Sequence, residues 1–261
     1  MLRIDDHGRV RVITLDRPAA LNAFNQGLYQ SAADALTDAA ADEGVAVIVL
    51  TGEGRAFSAG QDLYEMADLG RTVVDSDEPR ANSFPPFVDA LSACPKPVIA
   101  AVNGLGVGIG FTLLAHCDLV LISRTARLRT PFTALGVAPE AASSYLFPTR
   151  MGWQRAAWVL FSSEWVTAEE AVELGIAWRV CEPDAVLDDA FAAAQTIARM
   201  PIASLMATKR LMLDSQLPAI ARSRELENAA FADLLGGPAS REALQAFAER
   251  REPDFTNLPP R

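Results

Sequence analysis

The sequence predicts an α/β fold, and three observations carry that reading. Four short β-branched runs, VRVITLD (10–16), VAVIVLTG (45–52), KPVIAAVNG (96–104) and DLVLIS (118–123), are each bounded by glycine, proline or charged residues, as strands are. Segments of helical composition and period lie between them, the alternation that builds an α/β core. After about residue 150 the strand signal largely fades and helical segments dominate.

Each element follows in order. VRVITLD is the opening strand, and NQGLYQSAADALTDAAADE (25–43) the first helix, rich in alanine and free of internal glycine after its first turn. VAVIVLTG leads into TGEGRAFSAGQDLYEM (51–66), a glycine-bearing turn that opens the helix DLYEMADL. Residues 70–80, GRTVVDSDEPR, are polar with no apolar period and read as a mobile surface loop. A helix from Ser83 to Ala93 precedes the strand KPVIAAVNG, which enters a second glycine turn, NGLGVGIGFTLLAHC (103–117), with a helix beginning near Gly108. After DLVLIS, the pair Pro139 and Glu140 reads as a helix start, because proline suits the first helical position and an acid in the first turn complements the dipole. WQRAAWVLF, AEEAVELG, DAVLDDAFAAAQTIARM, ASLMATKRLMLDS and the run from Pro218 to Arg251 complete the helical part. We divide the chain into a core over residues 1–200 and a helical region over 201–261, whose Leu226, Phe231, Leu234, Leu244 and Phe247 can pack on the core or on another subunit.

Composition excludes several function classes. The chain carries 33 acidic against 23 basic residues, a formal charge of −10, which opposes attraction to nucleic acid or anionic membranes. Half of its 261 residues are hydrophobic, yet no apolar run reaches membrane-spanning length, and MLRIDDHGRV has no apolar signal core. The three cysteines, Cys94, Cys117 and Cys181, are widely spaced and odd in number, which suits buried free thiols in a reducing cytoplasm and offers no metal-ligand spacing.

Both glycine turns pair a strand end with a helix start, so each presents unpaired backbone N–H groups to a ligand that can approach closely. Neither is a familiar nucleotide motif. GLGVGIG has Ile109 where a dinucleotide fingerprint needs its last glycine, no phosphate loop follows Gly54, and Ala56 breaks a nucleophile elbow at AFSAG. With only His7 and His116 present, and His116 in an apolar helical stretch, a Ser/His/acid triad has little support.

Taken together, DRPAALNAF (16–24), AFSAGQDL (56–63), KPVIAAVNGLGVGIGFTLLAHCDLVL (96–121) and AFAERREPDF (246–255) resemble the enoyl-CoA hydratase/isomerase, or crotonase, superfamily, in order over essentially the whole chain. The resemblance implies a crotonase-like spiral of ββα units with a C-terminal helical oligomerisation region, assembly into a homotrimer or hexamer, and acyl-CoA thioester substrates of fatty acid metabolism. Coenzyme A is then part of the substrate, with no further cofactor and no metal. The family's oxyanion hole falls, by position, on the backbone N–H groups of Gln61 and Ile109. Each such donor contributes about 10²–10³ in rate. The two hydratase glutamates fall on Thr112 and Phe132, neither of which can activate water in that role.

The surroundings of Glu140, TPFTALGVAPEAASSYLFP, are similar to the peroxisomal-type Δ3,Δ2-enoyl-CoA isomerases, which use a single glutamate at the APE position. The resemblance also implies CoA and substrate contacts at Ala20, Ala23, Ala59, Asp62 and Phe132, and a phosphate contact at Arg250. Asp62 supports the turn that presents Gln61, while Ala19 stands where many members carry a CoA-contacting lysine. Three readings remain: the isomerase with Glu140 as single base, a hydratase or other acyl-CoA lyase or hydrolase of the superfamily, and a noncatalytic acyl-CoA-binding protein.

Overall fold

A computed structural model describes residues 1–65 and 82–258. Two sheets run side by side through the N-terminal two-thirds of the chain. The larger has strand order β1-β2-β3-β5-β7-β10, from β1 (Leu2–His7), β2 (Val10–Leu15), β3 (Val47–Gly52), β5 (Val98–Val102), β7 (Leu119–Ser123) and β10 (Arg179–Cys181). The smaller has order β4-β6-β8-β9, from β4 (Ala56–Ser58), β6 (Leu105–Val107), β8 (Arg127–Arg129) and β9 (Val166–Thr167). The chain visits the two sheets in turn: β3 then β4, β5 then β6, β7 then β8. Each pair lies parallel beside the preceding one, so successive turns stack as a spiral of ββα units. The α/β fold and its C-terminal helices are those expected.

The strands anticipated from β-branched runs are the central ones. Every residue of β3 and β5 is buried, as expected for parallel strands covered on both faces. Their side chains alternate with period two: Ile48, Leu50, Val98 and Ala100 join the main core, whereas Val47, Val49, Ile99 and Ala101 face the opposite side. Helix α1 (Gln26–Ala41) covers the first face, capped by Asn25, whose side chain accepts from the Leu28 N–H at 2.9 Å. Its small buried face of Ala32, Ala35 and Ala39 lets it lie close against α2 (Phe84–Ser92). Val186, Ala190 and Ala194 of a later helix, Val186–Ala198, seal the second face.

Some expectations change. The run from Pro218 to Arg251 is two helices, Leu217–Leu234 and Pro238–Glu249, because the chain leaves helical geometry at Leu235 and turns through Gly236 with φ +74°. The segment IGFTLLAH is a four-residue helix, Ile109–Thr112, followed by a tighter 3₁₀ turn at Leu113–His116. The surface-loop expectation for residues 70–80 and the end of DLYEMADL lie outside the described residues. Cys94, Cys117 and Cys181 are buried free thiols. Among the described residues, no helix is long and apolar enough to cross a membrane, and no cluster of His, Cys, Asp or Glu could hold a metal ion.

Candidate active site

A cavity of about 1170 Å³ opens between the glycine turns and the C-terminal helices. Its walls are mainly apolar, with Phe84, Phe132, Leu135, Trp165, Phe231 and Phe247 among them. Of the residues singled out from sequence, Ala20, Ala23, Ala59, Gln61, Asp62, Phe132 and Glu140 all line it.

The first glycine turn follows β4. Gly60 has φ +90°, and a β-carbon there would sit 2.6 Å from the Val107 carbonyl oxygen, so only glycine allows the two turns to touch. The Phe24 N–H donates to the Gly60 carbonyl at 2.7 Å and the Asp62 N–H donates to the Phe24 carbonyl at 2.9 Å. In a parallel bridge these bonds use the two neighbours of Gln61 and direct its own N–H away from Phe24. That N–H has no acceptor among the described residues. The Gln61 side chain is held by the buried Tyr29 hydroxyl, which donates to Oε1 at 2.9 Å.

The second turn follows β6. Gly108, with φ +53° and ψ −121°, donates to the Arg129 carbonyl and accepts from Phe111 and Thr112, all at 2.9 Å. Ile109 is therefore the first helical residue, and its N–H is one of the donors a helix start leaves unpaired; it has no acceptor among the described residues. The Ile109 side chain is fully buried behind the cavity wall, which leaves the backbone as the group it can offer.

Glu140 faces these turns. A β-carbon on Gly108 would lie 3.7 Å from Glu140 Oε1. The carboxylate accepts no hydrogen bond from any described residue, and it is half-buried only because part of it meets the cavity. Burial, followed by the charge of Glu227, raises its pKa to about 8.

The helix-start reading of Pro139–Glu140 is corrected here. The helix begins at Ser143, because Ala141 and Ala142 both take left-handed backbone, φ 56° and 57°, which lifts Glu140 out of the first turn and into the cavity wall. The Glu140 carbonyl accepts from the Ser143 N–H at 3.0 Å and from its hydroxyl at 2.6 Å. His116 Nε2 lies 2.7 Å from the Ala141 carbonyl, so that nitrogen carries a proton; burial holds the ring neutral, with a pKa near about 4.

The remaining residues divide. Asp62 is tied to Arg17 at 3.3 Å and accepts from the Tyr64 N–H, so it braces its turn. Thr112 is fully buried, does not line the cavity, and its hydroxyl has no partner among the described residues. Ala19 lines the cavity. Arg250 does not: it ends the last helix with φ 55°, and Arg251 beside it reaches the wall while paired with Glu242 and Glu249. Sequence reasoning missed Tyr29 and Glu227. Neither stands near a motif, although a glutamate inside an otherwise amphipathic helix is an unusual buried group.

Two unpaired backbone N–H groups on touching turns can hold a developing oxyanion, and one carboxylate of raised pKa beside them can move a proton. A family model described as enoyl-CoA hydratase/isomerase matches residues 5–258. The chain is 35% identical over 249 residues to the 2,3-dehydroadipyl-CoA hydratase of Escherichia coli strain K12, covering 95% of each. It is 34% identical over 209 residues to enoyl-CoA delta isomerase 2 of Rattus norvegicus, covering 80% of this chain and 53% of that protein. The crystal structure of an enoyl-CoA hydratase/isomerase from Pseudoalteromonas atlantica T6c superimposes with a TM-score of 0.89 at 33% identity, covering 98% of this chain and 99% of the other.

Proposed function

The chain belongs to the enoyl-CoA hydratase/isomerase family, and we propose that within it the protein is a Δ3,Δ2-enoyl-CoA isomerase with Glu140 as its single base. The observation that carries this reading is the position of Glu140, which faces the two glycine turns, while Thr112 and Phe132, which the resemblance matches to the hydratase glutamates, carry no carboxylate. In this mechanism the thioester carbonyl oxygen of a 3-enoyl-CoA accepts from the Gln61 and Ile109 N–H groups. Glu140 removes a proton from C2, and the charge delocalises into a dienolate held by those donors. The protonated carboxyl then returns the proton at C4, giving the trans-2-enoyl thioester with no net loss or gain of atoms. The apolar wall makes the carboxylate a stronger base by disfavouring its charge.

Acyl-CoA enters past Ala20, Ala23 and Ala59, with Arg250 directed to the CoA phosphates. The protein assembles as a homotrimer or hexamer through the helices after residue 200, where Leu211, Met212, Leu226 and Phe247 are exposed. Light scattering that found a stable monomer at micromolar concentration would refute this. Buried free thiols suit residence in the cytoplasm.

The hydratase named among the relatives supports a second reading, in which Glu140 alone activates water for addition to a trans-2-enoyl-CoA. Assays of 3-hexenoyl-CoA isomerisation and crotonyl-CoA hydration on one preparation separate the two. Isomerisation is expected to be far faster, since hydration also needs an acid at C2 and a bound water that the Phe132 side of the cavity does not favour. Comparable kcat/KM values for both reactions would replace the isomerase by the hydratase.

A further inference from the structure

Glu227 sits in the C-terminal helix Leu217–Leu234, yet its carboxylate is buried and turned back onto the segment that carries Glu140. It accepts three hydrogen bonds there: from the Ala142 N–H at 2.6 Å, the Ser144 N–H at 2.8 Å and the Ser144 hydroxyl at 2.6 Å. These are the first donors of the helix Ser143–Met151, which begins without a capping side chain of its own. A carboxylate from a distant helix therefore does the work of an N-cap.

The segment it grips is one that alanine does not favour. Two consecutive left-handed alanines bring each Cβ close to the following carbonyl oxygen, and such geometry persists only where its surroundings over-determine it. Glu227 fixes the Ala142 end, and His116 binds the Ala141 carbonyl from the other side. If Ala141 and Ala142 relaxed to right-handed backbone, the helix would extend backwards and Glu140 would rotate off the wall opposite Gly108. The same helix that carries Glu227 also contributes Asn228, Phe231 and Ala232 to the cavity, so one rigid element sets both the base and the wall beside it.

We infer that Glu227 is a positioning residue for Glu140: its three hydrogen bonds hold the left-handed Ala141–Ala142 turn that points the base into the cavity. The inference rests on the isomerase reading for its kinetic consequence only. The groups that bear on Glu140 are few. Burial and then Glu227 raise its pKa, the buried Tyr29 hydroxyl stays neutral beside it, and His116 is neutral; burial also raises the pKa of Glu227, against which its bonds to Ser144 and Ala142 and the charge of Arg224 favour the carboxylate.

The experiment uses the full-length protein with ¹³C-labelled glutamate carboxyl groups, and the Glu140 resonance is assigned by its absence in E140Q. In E227Q the like charge is gone, so the Glu140 titration midpoint is expected to move to lower pH. With 3-hexenoyl-CoA as substrate, kcat is expected to fall by about 10–10²-fold while KM stays within about twofold, because the base is misplaced and the binding surface is intact. The ascending limb of the pH–rate profile moves with the midpoint. A purely structural glutamate would lower the melting temperature and leave the midpoint and kcat of the folded fraction unchanged, and that result overturns the inference.

If E227Q does not fold, E227D carries the test, since it keeps the charge and withdraws it by one methylene. A fall in its kcat at constant KM supports positioning, whereas wild-type kcat overturns it. The titration needs no substrate, so a protein inactive on 3-enoyl-CoA refutes the isomerase reading while the Glu227–Glu140 coupling is still decided by the midpoint.

Discussion

Gly108 and Glu140 meet across the cavity, with Oε1 of the glutamate 3.7 Å from the place a β-carbon on the glycine would occupy. The same β-carbon would stand 3.9 Å from Gly60 Cα, so the base and both turns converge on one small volume. Gly108→Ala should therefore be damaging mainly through its backbone, which at φ +53° and ψ −121° no alanine adopts without strain of about 1–3 kcal/mol. A lower melting temperature together with reduced kcat is the expected outcome. Wild-type values of both would show that the turn can relax without consequence.

Replacing Glu140 by glutamine keeps shape and volume and removes the base. Isomerisation should fall by about 10²–10⁴, the usual weight of a positioned general base. Calorimetric titration with a nonreactive acyl-CoA should show unchanged affinity. Near-normal turnover in Glu140→Gln would take the residue out of the mechanism.

The raised pKa of Glu140 fixes the sign of two pH effects. A base must be deprotonated, so kcat/KM should rise about tenfold per pH unit below about 8 and level off above it. For stability the native state binds the proton more tightly than the unfolded chain, whose carboxyl has the ordinary value of 4.5. The stabilisation associated with the neutral carboxyl is thus complete below about 4.5 and is lost as pH rises through about 8. Glu140→Gln should accordingly melt at a higher temperature than the native protein at pH 8 and converge with it at acid pH. Parallel melting curves across that window would contradict the buried placement.

Arg250 and Arg251 offer a sharper comparison than either alone. Arg250→Ala should raise KM for acyl-CoA and leave kcat nearly unchanged, because phosphate contacts are equal in ground and transition states. Truncated pantetheine substrates should not respond. If KM moves instead in Arg251→Ala, the phosphate contact belongs to the residue on the cavity wall, and its pairing with Glu242 must open on binding.

The parts legible in the sequence are those where one physical signal dominates a long enough stretch. β3 and β5 are almost entirely apolar and buried on both faces, so VIVLTG and VIAAV declare themselves. Their companions AFS, LGV and RLR are three residues each, too short for any period, and the second sheet was therefore invisible. β1, LRIDDH, reads as polar because it is an exposed edge strand.

At the site, glycine announced both turns, since a backbone that touches another backbone permits nothing larger. The left-handed pair at Ala141 and Ala142 had no such marker. Alanine signals helix, and the force that overrides it comes from Glu227, 85 residues away from the Ala142 N–H it binds. Local chemistry can be read from a string of residues. A hydrogen bond supplied across that separation cannot.

The cavity draws one wall from Ala19, Ala20, Leu21 and Ala23 and another from Phe231, Phe247 and Pro253, so segments more than 200 residues apart complete the same chamber. During biosynthesis the sheets can form and be covered early, since their strands end at residue 181 and the helix that seals their second face ends at Ala198. The chamber cannot: the helices Leu217–Leu234 and Pro238–Glu249 supply part of its wall, so the pocket around Glu140 is complete only once they have docked.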